Sequence, residues 1–202
     1  MKVIVIGATG IIGSAVVNEL SARHQVIAVA HSHGEYKVDI TNAHSIEALY
    51  KSVGNFDAVV ATTGKVHFGI LQDITTEEFN IGLQDKLMGQ VNLVMIGMRY
   101  INAGGSFTLT SGIINHDPIV YGASAAMVNG ALEGFVKSAA IEMPNNTRIN
   151  LVSPTVIAEA MNNYAPYFRG FLPVSAAQAA LAYSKSVEGK QTGQVYRVGY
   201  VC

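Results

Sequence analysis

Glycines at 7, 10 and 13, within the run Lys2 to Ala22 (KVIVIGATGIIGSAVVNELSA), have the type and spacing to cradle a phosphate. Gly7 lets the chain turn tightly, Gly10 lets backbone come close to a pyrophosphate, and Gly13 lets the helix that follows pack near the strand before it. The N–H groups at the helix start then face the anion. Thr9, Ile11 and Ile12 lie in the same turn and are candidate contacts with it. A tight structural turn without a ligand is the alternative. The strand before the glycines and the helix after them favour a bound nucleotide.

Further polar groups stand where strands should end. A second strand, Gln25 to Ala30, runs into His31, Ser32 and His33, where an acidic residue would hold the ribose hydroxyls of NAD. Histidine and serine donate hydrogen bonds and do not repel a 2′-phosphate, so NADP is expected in preference to NAD. The other reading is a polar turn whose histidines touch nothing. Asp39 and Ile40 can flank an adenine ring, or Asp39 can cap the next helix, for which Thr41 and Asn42 are better placed. Thr62, Thr63 and Gly64 follow a fourth strand, at the carboxyl end where open α/β sheets bind ligands. Lys65 and His67, just beyond, either face a substrate cleft or sit in a solvated loop.

Periodicity supplies the elements that would position these groups. Val3 to Ile6 is an apolar, β-branched run suited to a strand covered on both faces, and Ile11, Ala15, Val16 and Leu20 have helix spacing. Few residues separate the second strand from a third at Tyr36 to Ile40, so the crossover helix there should shrink to a turn. A helix over Ala43 to Val53 precedes a strand at Phe56 to Ala61, and Thr76 to Tyr100 reads as one long helix containing Lys86. Then come a strand at Gly104 to Ser111, a helix over Ile119 to Met143, and a strand at Arg148 to Ser153 that Pro154 should break. The segment from there to Pro173 carries Tyr164, Tyr167, Phe168 and Phe171 and reads as a lid or an irregular edge. Ser175 should open a last helix, and Gly193 to Val201 should form a last strand.

At 202 residues and 50% hydrophobic, the chain suffices for one domain over 1–202. A net charge of -1, from 13 basic and 14 acidic residues, provides no field for nucleic acid or a membrane surface. The single cysteine, Cys202, rules out an internal disulfide or a cysteine metal cluster, and the scattered histidines offer no metal site. The first apolar stretch is too short and interrupted for a secretory signal, so a cytoplasmic protein is expected.

The whole pattern resembles the short-chain dehydrogenase/reductase family. The match lies in GATGIIG at 7–13, VDI at 38–40, the Thr62 to Gly64 turn, Ser111, Tyr121, GFVKSAAIEM at 134–143, RINLVSP at 148–154 and TGQV at 192–195. The resemblance implies a Rossmann-type α/β fold, a doubly wound parallel sheet of about seven strands with helices on both faces. It also implies bound NAD or NADP, a small-molecule substrate, and homodimers or homotetramers through the helices near 76–100 and 119–143. It casts Tyr121 as the acid/base and Ser111 as the group that orients the substrate oxygen, and it adds Pro154, Val156 and Ile157 to the cofactor contacts. The family's lysine is replaced by Ala125, and Lys86 takes the place of a helix asparagine. Lys86 therefore either supplies the missing charge or is a solvated residue beside a defunct site. Thr155 replaces a glycine, and Glu159 stands where a threonine would meet the nicotinamide, so it must point away, bind a cation or signal altered binding. The expected activity is hydride transfer to or from a small carbonyl or alcohol; the alternative is a nucleotide-binding regulatory or scaffold protein.

Overall fold

The computed structural model describes residues 1–201, and Cys202 lies outside the described residues. Strands β1 (Lys2–Ile6), β2 (Gln25–Ala30), β3 (Tyr36–Lys37), β4 (Phe56–Ala61), β5 (Ile101–Thr110), β6 (Arg148–Pro154) and β7 (Val195–Val198) form one sheet. Its order is β3-β2-β1-β4-β5-β6-β7, and every pairing is parallel. The helices are α1 (Ile11–Ser21), α2 (Ala43–Val53), α3 (Thr76–Ile81), α4 (Gln90–Gly97), α5 (Ala123–Glu142), the short α6 (Met161–Tyr164) and α7 (Ala176–Glu188). None of the described helices is long and apolar enough to cross a membrane.

The apolar run of β1 serves both layers because strand side chains alternate. Val3 and Val5 join Val16, Leu20, Tyr183 and Val187 under α1 and α7, while Ile4 and Ile6 join Ile46, Leu49, Leu93 and Leu132 on the opposite face. Each of these strand residues is 0–1% exposed, and burial of each contributes about 2 kcal/mol. The sheet is thus clamped from both sides with its carboxyl edge left open for ligands.

Several boundaries differ from the sequence reading. The β2–β3 link is indeed a turn, but β3 keeps only two residues. The sixth strand runs through Pro154 instead of stopping before it; proline contributes no N–H, and the next donor, Thr155 N–H, bonds the Val198 carbonyl at 2.9 Å. Glycines in the left-handed region at 193 and 199 confine β7 to four residues. The segment before α5 is not helical either, which leaves Tyr121 ahead of the helix at φ 66.

The largest difference lies in the expected helix over 76–100. After α3, residues Gly82–Gly89 form a π-helical segment, and α4 then ends at Gly97. The wider turn alters the direction of the segment's side chains, a feature frequent at functional sites. Fully buried Gln90 secures the junction: its amide donates to the Lys86 carbonyl at 3.1 Å and the Thr110 carbonyl at 3.0 Å, and its Oε1 accepts from Thr110 N–H at 2.8 Å. The π segment is therefore pinned to the end of β5. Gln90→Leu would strand buried backbone groups, and each costs about 1–3 kcal/mol. Urea unfolding of this variant should show a loss of about 3 kcal/mol; a loss under about 0.5 kcal/mol would mean that the junction carries no stability.

Candidate functional site

The glycine turn is built as its residues demand. Gly7 (φ 81) sits where a Cβ would come within 2.8 Å of the Thr62 carbonyl. At Gly13 a Cβ would strike the Gly7 carbonyl and Thr62 Oγ1. That hydroxyl donates to the Ile6 carbonyl at 2.9 Å, tying β4 to the turn. Gly10 is the N-cap of α1 and carries no capping side chain, and the first turn of α1 has no acidic residue. The orphan N–H groups and the positive end of the helix dipole therefore remain available to an anion.

In front of the turn is a cavity of about 410 Å³ lined by Gly7, Thr9, Gly10, His31, Asp39, Ile40, Thr62, Thr63 and Gly64, all expected from the sequence. Lys65 and Asp85 also line it, which sequence reasoning missed. Lys65 lies in an exposed loop, one of the two readings its sequence allows, and Asp85 Oδ1 accepts its backbone N–H at 2.9 Å and holds it beside the nucleotide cavity. Asp39 is occupied by Thr41, whose Oγ1 and backbone N–H donate to it at 2.6 and 2.9 Å. Those bonds, with the charges of His31 and Lys65, hold its carboxyl below the usual range. The cap of α2 is Asn42, so Asp39 is spared that role. Ser32 and His33 bond each other at 2.8 Å and do not line the cavity, so only His31 of that trio faces it.

A second cavity of about 360 Å³ shares Thr62 with the first and is lined by Ile11, Ile12, Val156, Ile157, Phe68, Tyr164 and Phe168. Tyr164 and Phe168 come from the 155–173 segment, where Phe168 is packed edge-on to Phe171 and Tyr164, and Phe68 comes from the loop after β4. Beyond it, a space of about 150 Å³ holds Lys86, Ser111, Ala125, Asn129 and Pro154. Phe68, Val156 and Phe168 line both of these spaces. The π segment thus brings Lys86 to Ser111 and to the position of the missing lysine. Desolvation pulls the Lys86 ammonium down to about 8. Ser111 Oγ donates to the Asn129 carbonyl at 3.2 Å.

Tyr121 is not in that space. It is 43% exposed and lines a neighbouring aromatic pocket with Phe68, Ile119, Tyr164 and Tyr167, edge-on to Tyr167 at 5.9 Å. The helical spacing that relates Tyr121 to Ala125 in the sequence does not hold, because α5 starts only at Ala123. Glu159 points away from the nucleotide: both carboxylate oxygens accept the Ala176 N–H at 3.0 Å, at the N-terminus of α7. His67 faces Glu78 at 3.6 Å.

Behind the site, buried Glu133 on α5 anchors the loop after β5. Asn115 Nδ2 lies 2.9 Å and His116 Nε2 2.6 Å from its Oε1, with Arg197 and Lys137 near its Oε2. Burial favours the neutral acid, but these bonds and charges outweigh it and hold the carboxyl below its ordinary 4.5. A depressed folded pKa gives stability that is present above pH 4.5 and fades as pH falls through the folded value. Glu133→Gln should therefore cost about 3 kcal/mol near neutrality and progressively less in acid. Urea unfolding of both proteins as a function of pH checks this, and a pH-independent difference would contradict it.

A family model described as enoyl-(acyl carrier protein) reductase matches residues 8–196. The solved structure of the protein lin1944 from Listeria innocua superposes with a TM-score of 0.96 at 50% identity, over 98% of this chain and 99% of that one. A small-chain dehydrogenase in complex with NADPH superposes with a TM-score of 0.88 at 27% identity, over 98% and 96%. Versicolorin reductase 1 of Dothistroma septosporum is 29% identical over 139 residues, covering 65% of this chain and 50% of its own length, so the chain spans about half of that relative.

Proposed function

The chain belongs to the short-chain dehydrogenase/reductase family of NAD(P)-dependent oxidoreductases, and from that premise we propose that it transfers hydride between NADP and a small carbonyl or alcohol. The observation that carries this reading is continuity: the nucleotide cavity shares Thr62 with the second cavity, which shares Phe68, Val156 and Phe168 with the space holding Lys86 and Ser111. A dinucleotide with its phosphates at the start of α1 would reach from Asp39 toward Lys86.

The residues present fit such a cofactor. Gly7 and Gly10 would leave room for its phosphates, Asp39 and Ile40 would flank the adenine, and His31 and Lys65 would supply positive or donor character for a 2′-phosphate; all six line the cavity. Val156 and Ile157 would back the nicotinamide, and its redox chemistry supplies or accepts the hydride. Ser111 Oγ, turned from the Asn129 carbonyl, would then donate to and orient the substrate oxygen. Lys86 holds the charge that Ala125 lacks, and its ammonium hands a proton to the oxygen as the alcohol forms. Tyr121, the acid/base expected from the sequence, lies one pocket away, and we assign it to covering the substrate. Self-association fits the apolar groove between α4 and α5, where Met95, Met98 and Phe135 line about 370 Å³.

The second reading, a regulator or scaffold that binds nucleotide without chemistry, is favoured by Ala125 and by the position of Tyr121. Titration of the purified protein with NADPH and with NADH, followed by nicotinamide fluorescence, tests the cofactor assignment. Saturable NADPH binding ahead of NADH supports it, and no binding of either would sink the oxidoreductase reading. Tight binding without turnover across small aldehydes, ketones and alcohols would leave the scaffold.

A further inference from the structure

Lys86 lines a space of about 150 Å³ in which, among the described residues, no other lining side chain is ionisable: its walls are mainly apolar, with Val66, Phe68, Val156 and Phe168 among them, and Ser111, Asn129 and Thr155 are its other polar members. The neighbouring carboxylate along the chain, Asp85, is engaged at the Lys65 backbone and lines the nucleotide cavity instead. The lysine stem is clamped, because at Gly64 any Cβ would come within 2.7 Å of Lys86 Cγ and 2.8 Å of its Cβ. Gln90 holds the Lys86 carbonyl from the other side, so the π turn, the glycine and the glutamine together fix the Lys86 backbone and the start of its side chain. Asn129 Oδ1 is buried and, among the described residues, without a hydrogen-bond partner.

We propose that Lys86 is a Schiff-base-forming lysine that captures small aldehydes or ketones covalently in this space. The inference rests on reading this space as the carbonyl site, but it needs no bound cofactor. The neutral amine attacks the carbonyl carbon; the C–N bond forms as the π electrons move to oxygen, and a proton passes from the nitrogen to that oxygen through solvent to give a neutral carbinolamine. Loss of that hydroxyl as water, with a proton supplied by solvent, leaves a protonated imine. No oxidant or reductant is consumed, and the positive charge the site needs beside Ser111 persists in the imine. A half-buried lysine held in a mainly apolar space, with no carboxylate among the described residues that line it, is the environment that activates lysine for this chemistry, and its pKa of about 8 agrees. Near pH 7.5 its neutral fraction is on the order of 100-fold that of a solvated lysine.

The test uses the cofactor-free protein, propionaldehyde as probe and sodium cyanoborohydride as trap, with peptide mapping by mass spectrometry. Propylation at Lys86 should exceed that at exposed Lys51 and Lys137 at least about tenfold near pH 7.5. It should level off above pH about 8, while the surface lysines keep rising toward pH 10. Lys86→Arg, which keeps the charge but cannot form an imine, should lose this label. Labelling of Lys86 no faster than that of Lys51, or a profile parallel to it, would overturn the proposal; the wild-type map alone decides this if the variant fails to fold. NADPH binding without trapping sinks only this inference, and trapping without NADPH binding sinks only the oxidoreductase reading.

Discussion

Lys86→Met should lower carbonyl reduction by about 10²- to 10⁴-fold, the usual scale for losing a positioned proton donor. Methionine keeps the volume of the stem against Gly64, so NADPH affinity should stay within about threefold of wild type. In the wild type, reduction should decline as pH rises through about 8, where Lys86 loses its proton, and alcohol oxidation should rise over the same range. Single-turnover NADPH oxidation against pH, in wild type and variant, measures all of this. If the variant reduces carbonyls at the wild-type rate with the same pH profile, Lys86 plays no part in the proton step. A solvated lysine would leave both unchanged, so the measurement separates the two readings of this residue.

Gly13→Val should abolish saturable NADPH binding, with affinity down at least about 100-fold, and cost about 3 kcal/mol of stability. The added Cβ would strike the Gly7 carbonyl and press on Thr62 Oγ1, so α1 must move off β1 and the turn must open. Both the phosphate donors and the Thr62 bond to the Ile6 carbonyl depend on that approach. Gly10→Ala is the natural contrast. Its Cβ would meet only the Gly7 carbonyl, at 3.3 Å, so folding should survive while the approach of phosphate is hindered. Equal NADPH affinity in wild type and Gly13→Val, by fluorescence titration, would mean that the turn is not the phosphate site.

What the sequence could show depended on how local the cause was. The apolar run of β1, the glycine spacing, the Asn42 cap and the Ser175 start of α7 are set by neighbours within a few positions, and all of them are legible in the sequence. The same holds for the missing crossover helix between β2 and β3, which too few residues forbid. The π segment is not local in this sense: its wider turn is secured by Gln90 reaching Thr110, twenty positions away. A polar residue inside the apolar stripe of a helix was its only trace. The occupation of Glu159 by the α7 terminus spans seventeen positions and left no signal except an acid in the wrong place. The spacing from Tyr121 to Ala125 crosses Gly122, and the helix begins only at Ala123, so the sequence interval does not fix where Tyr121 sits.

The strand order carries a consequence for how the chain is made. β1 leaves the ribosome first; β2 and then β3 add outward on one side of it, and β4, β5, β6 and β7 add in turn on the other. Each new strand meets an exposed edge already in place, and none must be threaded between two strands that have paired. Parallel sheets are slow to form because every pairing closes a long loop, but here synthesis itself supplies the order of closure. The β1–β4 pairing that holds the glycine turn can form as soon as Ala61 and Thr62 emerge, before Ser111 and Tyr121 exist.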